Sequence, residues 1–207
     1  MAKNPKRKKS SPLDNLAPLP RYVSRGGEKL RGALERFTIS VTGKTCLDVG
    51  SSTGGFTDCL LQAGAQAVWA VDVGYGLIDY RLRKDPRVRL LERTNFRFLE
   101  RTAIPDPIEL AVIDVSFISL SKILPKLFEF LNADGEAIVL AKLQFEGTPK
   151  EVPGGVIKDE AVRQSILARV ETAVRENRFE LLGKADSEIK GRKGNQETFL
   201  YLKKAAA

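Results

Sequence analysis

The sequence contains no histidine. This absence removes the usual general base, the usual zinc ligand and every catalytic arrangement that pairs histidine with serine or cysteine. Any catalysis must therefore depend on Lys, Asp, Glu, Tyr or Ser, and no metal site is expected. Cysteine is scarce, with Cys46 in a predicted buried strand and Cys59 in the helix that follows. We expect two reduced core residues and no disulfide.

Long hydrophobic runs are also absent. No apolar segment approaches the roughly 20 residues that span a bilayer, and the basic start of the chain lacks the hydrophobic core and cleavage site of a signal peptide. We therefore expect a cytoplasmic protein with no stable membrane insertion. A length of 207 residues with 43% hydrophobic residues suits one domain with a full core.

Positive charge is in excess over negative charge. The net charge of +8 and the pI of about 9.5 predict an anionic partner, with nucleic acid ahead of an acidic membrane surface. Residues 1–20 carry five of the cations against one acid, together with prolines and serines but few core formers. We interpret this segment as a disordered basic arm that either contacts RNA or is only a solubilising tail.

Short apolar runs alternate with segments of helical periodicity. This alternation predicts an α/β fold with a mostly parallel sheet, helices on both faces, and a ligand at the carboxyl ends of the strands. Strands are predicted at 45–49, 67–72, 87–91, 109–114, 136–141, 179–186 and 197–202. Helices are predicted at 24–37, 54–63, 76–84, 119–131 and 159–177.

A glycine-rich turn follows the first predicted strand. The segment 46–56 reads CLDVGSSTGGF, and the second strand ends at Asp72. Backbone amides and a helix N-terminus can approach a polar ligand at such a turn, and an acid about twenty residues later can bind ribose hydroxyls. The spacing departs from the dinucleotide fingerprint, and no cation stands beside Asp72 to receive a nucleotide phosphate. These features favour S-adenosylmethionine (SAM), with a plain strand-to-helix turn as the alternative.

Charged residues stand at the ends of three later strands. Asp114 ends the fourth strand, Lys142 ends the fifth and Glu197 opens the last. A lysine after an apolar strand commonly extends its amine into solvent, but an acid on the adjacent strand favours a functional site because a buried ammonium needs partners. The loop before the last strand carries three cations, which either bind phosphates or form a solvated turn. They are Lys190, Arg192 and Lys193.

A turn-rich loop follows the fifth strand. It runs from Gly147 to Gly155 and contains two prolines and a pair of glycines. Such a loop is either a lid over the substrate or an ordinary connection.

Six motifs occur in order between Arg21 and Leu202. They are YVSRGGxKL at 22–30, the glycine turn at 46–56, VDVGYG at 71–76, LERTN at 91–95, IDVSFIS at 113–119 and KxQFE at 142–146. Together they resemble the TlyA, or hemolysin-A-like, group of the FtsJ-like RNA ribose methyltransferases. The resemblance implies a SAM-dependent methyltransferase domain at 21–204 with a Rossmann-like, seven-stranded sheet in which one strand is antiparallel. It also implies ribose 2′-O-methylation of RNA, with ribosomal RNA or a ribosomal subunit as the partner.

The resemblance also implies roles for individual residues. A Lys-Asp-Lys-Glu catalytic tetrad matches Lys29, Asp114, Lys142 and Glu197. Implied cofactor contacts are Gly50, Ser51, Ser52, Gly54, Gly55, Phe56, Asp72, Tyr75, Asn95 and Asp114. Contacts with the RNA substrate are expected from Arg25, Lys190, Arg192 and Lys193.

The sequence departs from the family's pattern at three points. A small RNA-binding domain usually precedes the Tyr22 motif, whereas here only the basic arm stands in its place, which leaves the mode of RNA binding open. Leu143 occupies a position where proline is common and could alter the turn that aims Lys142. Ser51 replaces the usual alanine, and this change should be tolerated.

The expected reaction is direct transfer, in which a ribose 2′-hydroxyl attacks the sulfonium methyl in line. If Lys142 is the base, its pKa must fall from about 10.4 to about 7–8. Burial, Lys29 and the sulfonium lower this pKa, whereas Asp114 and Glu197 raise it. If the acids prevail, Lys142 stays cationic and stabilises the developing alkoxide.

Other functional classes fit parts of the sequence. A small-molecule methyltransferase or a nicotinamide oxidoreductase fits the fold but leaves the paired lysines and the basic charge unexplained. The hemolysin label suggests a membrane-active or non-catalytic RNA-binding protein, although no long amphipathic basic helix with an aromatic face supports lysis. The sequence is equally consistent with a monomer and a homodimer, and it identifies neither the modified nucleotide nor the ribosomal subunit.

Overall fold

The structure, a computed structural model, describes residues 21–206, so the predicted basic arm lies outside the described residues. Seven strands are found: β1 Thr45–Val49, β2 Ala67–Val71, β3 Val88–Leu91, β4 Ile108–Ile113, β5 Leu131–Ala141, β6 Phe179–Asp186 and β7 Thr198–Lys204. Five α-helices accompany them: α1 Arg25–Phe37, α2 Gly55–Gln62, α3 Tyr80–Lys84, α4 Leu124–Phe130 and α5 Glu160–Glu176.

All seven strands form one sheet in the order β3-β2-β1-β4-β5-β7-β6. Strands β1 to β5 pair in parallel, whereas β7 pairs antiparallel with both β5 and β6. This arrangement confirms the mostly parallel sheet with one antiparallel strand. Because β7 runs in reverse, its first residues lie at the edge where β1, β4 and β5 end. The residues that precede β7 therefore reach the same edge as those that follow β4 and β5.

Helices cover both faces of the sheet, as predicted. On one face, Leu30 of α1 and Leu60 of α2 are fully buried. On the other face, Leu127 of α4 and Ile166 of α5 are fully buried. Strand β4, between these two layers, is apolar on both sides from Leu110 to Ile113, as expected for a central parallel strand. Burying each such side chain contributes roughly 1.5–3 kcal/mol to stability.

Three predicted boundaries were wrong. Helix α3 begins at Tyr80 rather than at 76, because Asp79 caps it by accepting a hydrogen bond from the backbone amide of Arg81 (2.9 Å). The helix predicted at 119–131 opens as a 3-10 turn and becomes α-helical only at Leu124, where Pro125 suits the first turn. Strand β5 begins at Leu131, earlier than predicted.

The two cysteines are free and buried, which confirms the prediction of core thiols. Burial raises the pKa of both Cys46 and Cys59 to about 12. At neutral pH both therefore remain protonated and unreactive.

Candidate active site

Two glycines allow three segments to meet at the carboxyl edge of the sheet. Gly50 follows β1 with a φ of +86°, and a side chain there would collide with the backbone carbonyl of Asp114. The loop after β4 can therefore lie directly against the loop after β1. At Gly55, the first residue of α2, a side chain would collide with the hydroxyl of Ser24, which precedes α1. This close approach holds α1, and with it Lys29, over the glycine loop.

A cavity of about 780 Å³ opens at this edge. It is formed by the glycine loop, the start of α1, the loops after β4 and β5, and the loop before β7. Its lining includes many of the predicted site residues: Arg25, Lys29, Gly50, Ser51, Ser52, Gly55, Phe56, Asp114, Lys142, Lys190, Lys193 and Glu197. The volume is in the range of small-molecule sites.

The four residues of the predicted tetrad form two ion pairs in this cavity. Lys29 Nζ lies 2.5 Å from Glu197 Oε2, and the two side chains are only 13% and 4% exposed. Lys142 Nζ lies 2.5 Å from Asp114 Oδ1 and donates a hydrogen bond to Ser116 Oγ at 2.9 Å. Ion pairs taken out of water are weak evidence for stability, because desolvation offsets the attraction. Both pairs line one cavity, which makes their side chains candidates for contact with a ligand.

Glu146 ties together the two loops that carry Asp114 and Lys142. Its carboxylate accepts hydrogen bonds from Ser119 Oγ at 2.7 Å and from the backbone amide of Leu120 at 2.8 Å. Sequence reasoning placed Glu146 in the KxQFE motif without giving it a role. Its position four residues after Lys142 was the available signal, and the partners on the other loop could not be read from it.

The loop Gly147–Gly155 is held by contacts with neighbouring elements, and its last residue, Gly155, lines the cavity. Asn195, which is buried, donates a hydrogen bond from Nδ2 to the carbonyl of Gly155 (2.8 Å) and accepts one from the amide of Ile157 (3.1 Å). Within the loop, Glu151 pairs with Arg169 of α5 at 2.9 Å. These contacts hold the loop in place, and both predicted roles, a lid and an ordinary connection, stay predictions. Sequence reasoning missed Asn195 as a site residue.

Residues 22–204 match the model of the FtsJ-like methyltransferases. The chain belongs to this family. Over 183 residues it is 46% identical to the 16S/23S rRNA (cytidine-2′-O)-methyltransferase TlyA of Mycobacterium tuberculosis, in an alignment that covers 88% of this chain and 68% of that protein. The family resemblance drawn from the motifs is therefore confirmed, while the domain boundaries 21–204 stay a prediction.

Solved structures agree with this assignment. A Streptococcus thermophilus protein described as a hemolysin superposes with a TM-score of 0.89 at 40% identity, covering 92% of this chain and 70% of that one. A SAM-dependent methyltransferase from Listeria monocytogenes superposes with a TM-score of 0.64 at 15% identity, covering 87% of this chain and 99% of that one, and shows the fold alone. Within residues 21–206, no helix is both long and apolar enough to cross a membrane.

The cavity of this FtsJ-like methyltransferase presents polar atoms that lack a partner. Among the described residues, neither Ser51 Oγ nor Gln144 Oε1 has a hydrogen-bond partner although both atoms are buried. Both residues line the cavity. Unpaired buried polar atoms are costly, so a polar ligand that pairs with them would offset this cost. The site therefore fits a ligand with amino, carboxylate and hydroxyl groups, as SAM has.

Four predicted cofactor residues do not line the cavity. Gly54 immediately precedes α2 with a φ of +93°, and a side chain there would collide with Leu82, so packing and backbone conformation both require glycine. Asp72 accepts hydrogen bonds from the amides of Ser52 (2.8 Å) and Gly74 (2.7 Å) and so shapes the neighbouring loops. The other two residues, Tyr75 and Asn95, lie on an exposed surface beyond the glycine loop, Tyr75 being 65% exposed and Asn95 lining a separate groove.

The mouth of the cavity carries cations and an exposed aromatic ring. Arg25, Lys190 and Lys193 line it, and Lys193 Nζ also donates to the carbonyl of Gly154 at 3.2 Å. For Arg192 the structure describes only the backbone, which lies in the 3-10 turn Arg192–Gly194. Phe117 is 89% exposed, has a φ of 62°, and packs against Phe145 with ring centroids 4.8 Å apart. Sequence reasoning did not assign Phe117 to the site.

A buried carboxyl lies beneath the glycine loop. Asp48 of β1 is fully buried and accepts a hydrogen bond from Thr57 Oγ1 of α2 at 2.6 Å. Burial, partly offset by this hydrogen bond, raises the pKa of Asp48 to about 7. The contact fixes the start of α2 against β1 and so supports the loop between them.

Proposed function

We propose that this FtsJ-like methyltransferase transfers a methyl group from SAM to a ribose 2′-hydroxyl of ribosomal RNA, in the cytoplasm. The proposal is carried by one observation: two lysine–carboxylate ion pairs face the same cavity, beside the glycine loop. The named activity of the M. tuberculosis relative supports the choice of reaction and substrate.

The cofactor would be held by the inner part of the cavity. We assign the backbone of the loop 50–55 and the ring of Phe56 to this role, with Ser51 and Gln144 supplying polar contacts. The carboxylate of Asp114 suits the positively charged methionine end. When bound, SAM would supply a methyl group made electrophilic by its attachment to a sulfonium.

The ion pairs define what the protein's own side chains contribute. Lys142 pairs with Asp114 and donates a hydrogen bond to Ser116, and these contacts position its amine to stabilise negative charge that develops on the attacking oxygen. The 2′-hydroxyl proton, released as its oxygen bonds to the methyl carbon and the bond from that carbon to sulfur breaks, would leave through the mouth of the cavity to solvent. Lys29 and Glu197 provide a second rigid polar pair that can position the ribose. Alignment of two reactants alone can supply roughly 7–11 kcal/mol of the barrier in favourable cases.

The mouth of the cavity is suited to an RNA strand. Arg25, Lys190 and Lys193 can neutralise phosphates, and we keep Arg192 as a predicted contact of the same kind. The exposed ring of Phe117 offers a face on which a base can stack. The geometry therefore combines a phosphate-binding rim with an aromatic platform beside the reacting groups.

The experiment is transfer of labelled methyl from SAM to separated ribosomal subunits, with wild type, Lys142→Ala and Lys184→Ala in parallel. Lys184 forms an ion pair with Glu171 outside the cavity and is the matched control. We expect label in RNA with wild type and Lys184→Ala and a strong loss with Lys142→Ala. SAM binding without transfer to either subunit would contradict the RNA assignment, and absence of SAM binding would contradict the cofactor assignment.

A further inference from the structure

Three exposed aromatic rings beyond the glycine loop each lie beneath a cation. Tyr75, Tyr80 and Phe98 are 65%, 70% and 72% exposed. Their partners are Arg93 (4.2 Å from the ring centroid), Lys84 (5.3 Å) and Arg97 (5.0 Å), respectively. We call these six residues the outer surface. They belong to the loops after β2 and β3 and to the short helix α3.

The cations of the outer surface are not neutralised by acids. Within residues 21–206, none of the three takes part in an ion pair, whereas their neighbours Arg81 and Arg83 pair with Asp79 (3.1 Å) and Glu92 (2.6 Å). The outer surface therefore has surplus positive charge next to open rings. Surplus positive charge beside exposed aromatic faces suits a polyanion that also carries aromatic bases.

A groove of about 520 Å³ adjoins the outer surface on the side of Arg93 and Phe98. It is lined by Arg93, Asn95 and Phe98 among others, and Glu100 is the acid on its wall. The loops after β2 and β3 leave the same carboxyl edge of the sheet as the loops that form the cavity. A strand bound at the cavity can therefore continue along this edge to the outer surface.

We propose that the outer surface binds RNA that flanks the nucleotide held in the cavity. The rings provide faces for unpaired bases, and the cations meet the phosphates between them, which is the recurring chemistry of single-stranded nucleic-acid binding. This binding does not read sequence, because any base can stack and every phosphate carries the same charge. The proposal rests on the proposed function, since it extends the path of the same RNA.

The test separates charge from stacking with two double variants. Lys84→Gln with Arg97→Gln removes two cations, and Tyr80→Leu with Phe98→Leu removes two rings while keeping apolar volume. None of these four residues belongs to the predicted cofactor set. The control is Arg178→Gln with Lys204→Gln, because both cations lie over Phe128 (4.0 and 4.3 Å) where β6 begins and β7 ends, at the opposite edge of the sheet.

Binding is measured with a fluorescent single-stranded RNA and with ribosomal subunits across a salt series, alongside calorimetric SAM binding and thermal melting. The charge variant should flatten the slope of log affinity against log salt by about 0.7 for each cation removed. The ring variant should weaken binding about five- to hundred-fold with little change in slope. In both double variants, SAM affinity and melting temperature should stay at wild-type values. The control variant should bind RNA with wild-type affinity.

Two results would contradict RNA binding by the outer surface. Both can be distinguished from a failure of the proposed function. Unchanged RNA affinity and salt slope in both double variants, with methyl transfer by wild type intact, would reject the surface and leave the reaction standing. Loss of binding to phosphatidylglycerol vesicles with RNA binding unchanged would replace RNA by a membrane. If RNA binding falls as expected but wild type transfers no methyl to RNA, the surface stands and the reaction is rejected.

Discussion

The two halves of the carboxyl edge of the sheet use charge in opposite ways. In the cavity, formed after β1, β4 and β5 and before β7, lysines and carboxylates are paired and largely buried. At the outer surface, after β2 and β3, cations lie unpaired in the described chain on exposed rings. Buried ion pairs fix the geometry of a site. Exposed cations attract phosphates, and this attraction weakens as the salt concentration rises. Changes in the cavity should therefore alter transfer, and changes at the outer surface should alter affinity.

The largest expected effect is at Lys142. Lys142→Ala should lower the single-turnover rate of methyl transfer about 100- to 1000-fold, because it removes a preorganised charge at the developing oxyanion. Lys142→Arg keeps the charge and should recover part of this loss if the role is electrostatic, since an arginine does not give up its proton. An arginine variant as slow as the alanine variant would favour the base role instead. Rapid-quench assays at saturating SAM measure both.

A smaller loss is expected at Glu146, which positions the loops but touches no reacting group. Glu146→Gln should lower kcat about 10- to 100-fold with KM for SAM near the wild-type value, because a displacement of about 1 Å in reacting groups is enough for such a loss. Combining it with Ser119→Ala should add little, since both break one contact.

The matched control for this test is Glu129→Gln, which breaks an exposed ion pair with Lys126. Additive losses in the double variant, or an equal loss of kcat in the control, would show that the Glu146 contact does not couple the two loops.

Phe117 lies at the mouth of the cavity and should behave as a binding residue. Phe117→Ala should weaken RNA binding about five- to hundred-fold by removing one stacking face, with SAM affinity unchanged. Phe117→Tyr, which keeps the ring, should bind like wild type. Anisotropy with labelled RNA measures both, and a tyrosine variant as weak as alanine would argue against stacking.

The smallest effect on methyl transfer is expected from Asp48, which lies beneath the cavity and acts on the stability of the fold. Asp48 has a folded-state pKa of about 7 against an ordinary value of 3.8. Between these values only the unfolded chain releases the proton, so stability should fall as pH rises through this range and level off above it. Asp48→Asn keeps an oxygen for Thr57 and removes the ionisation. Its melting temperature relative to wild type should rise by roughly 10 °C from acidic to neutral pH, and a constant difference would show that Asp48 does not titrate in this range.

Sequence reasoning recovered one half of the edge better than the other. Asp114 and Lys142 follow adjacent parallel strands, so strand-end logic alone placed them together. Glu197 joined them because β7 is antiparallel, which the family resemblance implied and periodicity did not. The inward contacts of Glu146 and Asn195 depend on residues of other loops and leave no local pattern. Tyr75 and Asn95 were assigned to the cofactor by motif, which stays a prediction; the structure places Tyr75 in the outer surface and Asn95 in the adjoining groove.

The fold was predictable wherever burial determines the pattern. Central strands such as β4 are apolar on both sides, and their positions were predicted closely. Boundaries failed where a local polar contact decides them, as at Asp79, which starts α3 by capping it. Gly54 is a similar case within the site. Its spacing in the sequence fits a cofactor loop, whereas in the structure glycine is required because a side chain would collide with Leu82.

The central claim is that the two ion pairs in the cavity direct methyl transfer to a ribose oxygen. The most direct measurement is mass spectrometry of nucleosides from ribosomal RNA incubated with SAM and either wild type or Lys142→Ala. We expect a 2′-O-methyl nucleoside with wild type and almost none with Lys142→Ala. A methyl group on a base, or wild-type levels of 2′-O-methylation by Lys142→Ala, would contradict it.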